Sequence, residues 1–131
     1  MSNVLDLNKL TKLENLNCSH NFITNVILCL SLKSINCSYC NFVGTLDFSK
    51  FSNLTELNCS YNRISKLILP DKITYLDCCR NELFELQVPN TVMYLDCSHN
   101  YLTQIVLFND GNKKIIYNDN TTNCRLLDRR E

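Results

Sequence analysis

Cysteine is the residue of this chain with the greatest capacity for chemistry. The sequence contains nine cysteines, and five of them recur at the same place in a repeated phrase: Cys18, Cys37, Cys59, Cys78 and Cys97. Thiolates bind soft metal ions and exchange electrons, so a row of them is a candidate for a redox or soft-metal binder. Cys37 and Cys40 add a Cys-x-x-Cys spacing. In the alternative interpretation, these cysteines are small apolar core residues, which is how free cysteine usually behaves.

The spacing favours the core interpretation. Side chains that point inward from parallel strands do not converge tetrahedrally on one ion, and the second Cys-x-x-Cys or His pair of a zinc site is missing. We therefore expect no metal and no cofactor. Cys79 follows Cys78 and should point to the opposite face, where it is either an accessible thiol or a replacement for the serine found there in the other copies.

The remaining candidates for catalysis do not form a site. His20 and His99 stand at equivalent positions of copies that should lie roughly 20 Å apart, at about 4.8 Å per strand, so they cannot act as a pair. Gly44 and Gly111 are the two glycines of the chain, which excludes a glycine-rich phosphate loop, and neither a nucleophile elbow nor a metalloprotease motif occurs. We predict that the protein is not an enzyme.

The elements that carry these residues follow from a repeat. The phrase Leu-x-x-Leu-x-Cys-x-x-Asn begins at residues 13, 32, 54, 73 and 92, and such self-similarity takes precedence over local propensity. We call each copy a rung and number its positions from the first Leu. Residues 1–12 match the second half of a rung, and residues 112–131 form a degenerate rung and cap. A single domain over 1–131 is expected.

The ninth position carries asparagine in four rungs: Asn21, Asn62, Asn81 and Asn100. A buried asparagine there would bond the turn backbone of its own and neighbouring rungs. In rung two, Cys40 takes this position if the rungs are aligned from their starts. A one-residue insertion would instead align Asn41 with Asn21 and Phe42 with Phe22, and the sequence leaves both registers open.

The repeated phrase resembles the leucine-rich repeat, L-x-x-L-x-L-x-x-N/C-x-L, and its cysteine-bearing form is similar to repeats of bacteria and of giant DNA viruses of amoebae. The resemblance implies a solenoid of the α/β horseshoe class that is mainly β. One parallel sheet would form the concave side, and the convex side would be extended or carry short helical turns. Family function in that group is protein recognition.

Any function should therefore lie at the variable positions of the sheet. The third, fifth and eighth positions place Tyr, Arg, His and Asp on one face, and tyrosine and arginine dominate binding hot spots. A merely solvated sheet is the alternative, because tyrosine also favours strands. The residues that we predict to bind a partner protein are Tyr39, Tyr61, Tyr75, Asp77, Arg80, Tyr94, Asp96 and His99. All of them except Tyr39 form the densest group, which lies on rungs three to five. A structural unit that assembles end to end, as a homo-oligomer through exposed solenoid ends, remains a further alternative.

Composition limits the other partners. Thirteen basic residues balance thirteen acidic ones, so the chain lacks the positive field that nucleic acid requires. The first residues do not read as a secretion signal, and the apolar runs are too short to cross a membrane. We expect a cytoplasmic protein, in the host cell if viral, with its thiols reduced.

Overall fold

The computed structural model describes residues 3–108 and 110–129, which form a parallel β-solenoid. Twelve strands lie in this part of the chain, and none of its residues is helical. Each rung runs through a short strand, a turn at the asparagine and a return segment on a second face. The predicted β-dominated solenoid is confirmed.

Six of the strands form one continuous parallel sheet. In chain order they are β2 (Asn15–Asn17), β4 (Ser34–Asn36), β6 (Glu56–Asn58), β8 (Tyr75–Asp77), β9 (Tyr94–Asp96) and β11 (Lys114–Ile116). They lie in the order in which the chain visits them, and equivalent positions pair without slippage. The fourth-position residue at the centre of each strand points inward, as Leu57, Leu76 and Leu95 show by being fully buried. Positions three and five of all rungs therefore share the outer face of this sheet.

The return segments are extended, and they pair only in groups. β1 (Val4–Asp6) pairs with β3 (Asn25–Ile27), β5 (Val43–Asp47) with β7 (Arg63–Ile68), and β10 (Gln104–Leu107) with β12 (Arg125–Asp128). Rung four joins the last group through a single bridge between Gln87 and Val106. Of the two predictions for the convex side, the extended one is confirmed, and no helical turn occurs in the described return segments.

The core between the two faces is built from the repeated apolar positions and the cysteines. Cys59, Cys78 and Cys97 are fully buried, together with the first-position residues Leu54, Ile73 and Val92. Burial of such columns between neighbouring rungs is the main source of stability in a solenoid.

The asparagine column ties the rungs together. The Asn81 Nδ2 amide donates to the carbonyl oxygens of Cys78 and Cys79 in its own rung and of Cys59 in the preceding rung, at 3.1, 3.3 and 3.0 Å. Its Oδ1 accepts the backbone N–H of Ile64 at 3.0 Å. Asn62 and Asn100 repeat this pattern. The predicted role in satisfying buried turn backbone is confirmed.

Rung two keeps the register in which Cys40 occupies the asparagine position. The Cys40 thiol donates to the carbonyl oxygen of Cys18 at 3.1 Å, which corresponds to the bond that Asn62, Asn81 and Asn100 make to the preceding rung. Phe42 is buried, whereas Phe22 is 78% exposed, so these two residues are not equivalent. One of the three extra residues of rung two lies between Phe42 and Leu46. Gly44 adopts a φ of 84° there, which favours glycine.

Candidate functional site

The fifth position of each rung ends its strand with the same turn. The side-chain Oδ1 of Asn17, Asn36, Asn58, Asp77 or Asp96 accepts the backbone N–H two residues later at 3.1 Å. Where that residue is serine, its hydroxyl donates to the same oxygen at 2.6 to 2.8 Å. This turn is the local bond that short Asn and Asp side chains make with their own backbone.

The seventh-position side chains lie beside those of the fifth position but are buried there, which corrects one expectation. Cys79 is only 9% exposed and occupies the place of the buried serines Ser38, Ser60 and Ser98. Of the two alternatives for Cys79, the replacement for serine is confirmed and the accessible thiol is wrong, because the sulfur lies beside the carboxylates of Asp77 and Asp96 but is covered there. Burial raises the pKa of Cys79 to about 12, which holds the thiol in its unreactive protonated form.

The eighth position carries the chain through a left-handed conformation. Its φ lies between 55° and 58° in six successive rungs, at His20, Tyr39, Tyr61, Arg80, His99 and Asp119. Such angles are uncommon for residues other than glycine and asparagine. Because the backbone turns in the same way each time, the side chains leave the solenoid as one column.

The eighth-position side chains form a stack from His20 to Arg80. The rings of His20 and Tyr39 lie 4.4 Å apart and those of Tyr39 and Tyr61 lie 4.2 Å apart, each pair at 13°. The Arg80 guanidinium lies 5.3 Å from the centre of the Tyr61 ring. His99 continues the column and contacts Asp119, with 3.2 Å between Nε2 and Oδ2.

A second stack follows the third position of the sheet. The rings of Tyr75 and Tyr94 are nearly parallel at 6°, with centres 4.6 Å apart. The Lys114 ammonium lies 5.9 Å from the centre of the Tyr94 ring. On the other side, Glu56 is the strand neighbour of Tyr75. This stack lies on the same face of the six-stranded sheet as the fifth-position residues.

Acidic groups lie beside the second stack. A carboxylate oxygen of Asp77, one of Asp96 and the Cys79 sulfur all lie within 4.8 Å of one another. Loss of hydration raises the pKa of Tyr75, and the negative charges of Asp77, Asp96 and Glu56 raise it further. A metal ion at this place would bind these three atoms. One oxygen of each Asp, however, already accepts a turn amide. The Cys79 thiol is protonated at neutral pH.

The column of cysteines lies inside the core and not at a surface. All nine cysteines are free, and only Cys124 among them is more than slightly exposed. Burial raises the pKa of Cys18 to about 11 and that of Cys97 to about 12, in both cases as the largest cause. Burial also raises the pKa values of Cys37, Cys59 and Cys78 above their usual range. This arrangement disfavours the thiolate that redox or soft-metal chemistry needs.

The structure brings the predicted binding residues into two groups. Tyr39, Tyr61, Arg80 and His99 share the eighth-position column, and Tyr75, Tyr94, Asp77 and Asp96 lie together on strands β8 and β9. Sequence reasoning left out the members that extend these groups: His20, Glu56, Lys114 and Asp119. They stand at the third or eighth position of their rungs, so extending each column to every rung could have found them.

Two further surfaces did not appear in the sequence. On the second face, Phe84 and Tyr101 are 65% and 51% exposed with ring centres 5.4 Å apart. Phe84 also lines a hollow that extends over rungs three to five, together with Leu67 and Arg129. At the first rungs, a shallow hollow is lined by residues that include Val4 and Phe22.

Comparison with known proteins agrees with the geometry. A family model described as Leucine Rich Repeat matches residues 53–71, which span rung three from just before its start. No curated protein and no solved structure matches the chain. The match and the solenoid together support a leucine-rich repeat protein. Proteins of this kind are generally non-catalytic and bind other proteins. Among the described residues, no helix is long and apolar enough to span a membrane.

Proposed function

We propose that this protein is a non-catalytic interaction module that binds another protein on the outer face of its six-stranded sheet, the concave side of the solenoid. The observation that carries the proposal is the pair of side-chain stacks, one on this face and one at the turn that follows its strands. Tyr39, Tyr61 and Tyr75 are each about two-fifths exposed, although large apolar rings usually find cover in a monomer.

The stacks are suited to binding because they are already ordered. A tyrosine held between two neighbours loses little side-chain freedom when a partner arrives, which lowers the cost of association. Each tyrosine offers a large apolar area and a hydroxyl that can bond to a partner. The strand register holds Tyr75 opposite Tyr94, so the contact surface is rigid.

The test removes one stack and measures partner capture. Tyr75→Ala combined with Tyr94→Ala should abolish capture of a partner from native host extract, because it deletes the central apolar contact. The change should leave the thermal stability nearly unaltered, since both side chains project outward from the strands. Pull-down with quantitative mass spectrometry and a thermal melt provide the two measurements.

A matched control exists on the second face. Phe84→Ala combined with Tyr101→Ala removes an exposed aromatic pair of similar size and should leave capture intact. If the control loses the partner and the sheet variant keeps it, the binding surface lies on the second face and the proposal is rejected.

End-to-end assembly is a second candidate that one observation favours. The surface of the first rungs exposes Val4, Leu10 and Phe22, and a partner rung could cover such residues. A concentration-dependent mass in light scattering would support assembly, and a monomer at every concentration would reject it. The cytoplasmic location and the likeness to repeats of giant viruses stay predictions.

A further inference from the structure

The fifth-position column changes its charge at rung four without changing its geometry. Asn58 accepts the amide of Ser60 at 3.1 Å, and Asp96 accepts the amide of Ser98 at the same distance. Asp77 makes the equivalent bond to Cys79. Asparagine therefore suffices for the turn, and the two negative charges are not required by the fold.

Those charges are placed where they repel each other. Asp77 and Asp96 are directly opposite on adjacent strands β8 and β9. Their carboxylate oxygens lie within 4.8 Å of each other. Like charges opposite each other destabilise a sheet, and their repulsion is stronger at a protein surface than in bulk water.

The described chain supplies no ion-pair partner for this group. Across residues 3–108 and 110–129, Lys33 pairs with Glu14, and His99 contacts Asp119 and pairs with it when the imidazole is protonated. Neither Asp77, Asp96 nor Glu56 takes part in these pairs. Arg80, the nearest cation of the eighth-position column, lies over the Tyr61 ring.

An aromatic surface borders the carboxylates. Tyr75 lies between Glu56 and Tyr94 in the strand register. One face of its ring stacks on Tyr94. In the part of the chain that the structure describes, the cations over aromatic rings are Lys114 at Tyr94 and Arg80 at Tyr61, so none covers the Tyr75 face toward Glu56. We name Glu56, Tyr75, Asp77, Tyr94 and Asp96 the acidic-aromatic patch.

We propose that the acidic-aromatic patch binds a basic, extended segment of the partner protein, with an arginine side chain seated on Tyr75 against the carboxylates. This inference rests on the proposed function and specifies the partner's chemistry. A guanidinium is planar, so it can stack on an aromatic ring while its N–H groups donate to carboxylates. The same charges repel the phosphates of nucleic acid.

The first measurement is titration calorimetry with a defined probe. A peptide of alternating glycine and arginine should bind the native chain. The same peptide with citrulline in place of arginine keeps the shape without the charge and should bind about tenfold more weakly or not at all. Equal binding of the two peptides would overturn the proposal.

The second measurement changes the protein. Asp77→Asn with Asp96→Asn restores the residues of rungs one to three at this position, so the turns remain and the repulsion disappears. Affinity for the arginine peptide should fall about tenfold or more, while the melting temperature stays equal or rises. Asp71→Asn with Glu85→Gln removes the same charge from two exposed residues of the second face and should leave the affinity nearly unchanged. Equal losses of affinity in both variants would show that the net charge of the protein accounts for the effect, and would reject a specific arginine site.

Two outcomes separate this inference from the proposed function. If the Tyr75 and Tyr94 variant loses the natural partner but the Asp77 and Asp96 variant keeps it, the sheet binds a partner of different chemistry, and only this inference fails. If neither variant changes capture, the proposed function fails as well. The native chain could instead bind one Zn²⁺ or Ca²⁺ ion without any peptide and lose it with Asp77→Asn and Asp96→Asn. That result would assign the carboxylates to a metal and would also overturn the proposal of an arginine-binding patch.

Discussion

At the scale of single residues, the eighth position of each rung has two properties: its backbone is left-handed, and its side chain belongs to an exposed stack. Each rung needs one residue with φ near 55° after its strand, where glycine or asparagine would be least strained. The chain nevertheless uses Tyr39, Tyr61 and Arg80 there. Stacking between successive rungs offsets part of the cost of the left-handed backbone, and the side chains project to solvent where a partner could contact them.

The strain can be measured at Tyr61. Tyr61→Val and Tyr61→Asn both delete the ring, but valine should be less stable by about 1 to 2 kcal/mol, because its branched Cβ clashes in the left-handed region. Urea unfolding provides the free energies. Tyr75 lies in an ordinary strand and is the control position, where valine should be at least as stable as asparagine. The same order of stability at both positions would contradict this account of the turn.

At the scale of elements, the asparagine column holds consecutive rungs in one register. Asn81 lies inside the array and bonds four backbone groups. Asn21 lies in the first full rung, and among residues 3–108 and 110–129 its side chain bonds only the carbonyl oxygens of Cys18 and Ser19, both in its own rung. Cys40 makes the bond to the preceding rung with a thiol, a weaker donor than an amide, and it has no oxygen to accept a backbone N–H.

This gradient predicts unequal effects of one substitution. Asn81→Leu should lower the free energy of unfolding by about 1 to 3 kcal/mol for each buried group left unpaired. Asn21→Leu should cost less, because Asn21 has fewer partners and is exposed. Equilibrium unfolding in urea compares the two. Equal losses at both positions would show that the bonds to the neighbouring rung contribute nothing.

The periodic part of these elements could be predicted from the sequence, and the turn could not. The repeated Leu, Cys and Asn are spaced by the fold itself, so their columns gave the six-stranded sheet and the role of Asn81. Cys79 shows the limit. Alternation along a strand places the Cys79 sulfur beside the outward carboxylates of Asp77 and Asp96, where the structure has it. It does not predict that the turn, in which the Cys79 amide donates to Asp77, leaves this thiol covered. Binding by Tyr75 and Tyr94 stays a prediction, since the sequence places residues on a face without naming what meets that face.

At the scale of the whole molecule, burial of so many thiols couples stability to alkaline pH. The ordinary pKa of these cysteines is 9.0, and burial raises that of Cys18 to about 11 and that of Cys97 to about 12. Below pH 9, the folded and unfolded chains both hold these protons. Above it, the unfolded chain releases them while the folded chain retains them, so the thiol contribution to stability is lost as pH rises through this window.

Stability should therefore fall between about pH 9 and pH 11, by up to about 1.4 kcal/mol per pH unit for each thiol whose pKa is raised. Urea unfolding at successive pH values measures the slope. Cys97→Ala removes one buried thiol and should make the slope shallower, although it also lowers stability at every pH. Cys124→Ala, at a partly exposed residue, should change the slope less. A free energy that stays level up to pH 11 would refute the linkage.

The unequal pairing of the two faces has a mechanical consequence. The sheet from β2 to β11 is unbroken, whereas no strand pairing on the return face joins β3 to β5 or β7 to the rung that follows. Backbone bonds resist stretching more firmly than apolar contacts, which slide. The solenoid should bend most easily at those two gaps, while the continuous sheet holds the rungs together. A partner could therefore change the curvature of the array without breaking a strand pair.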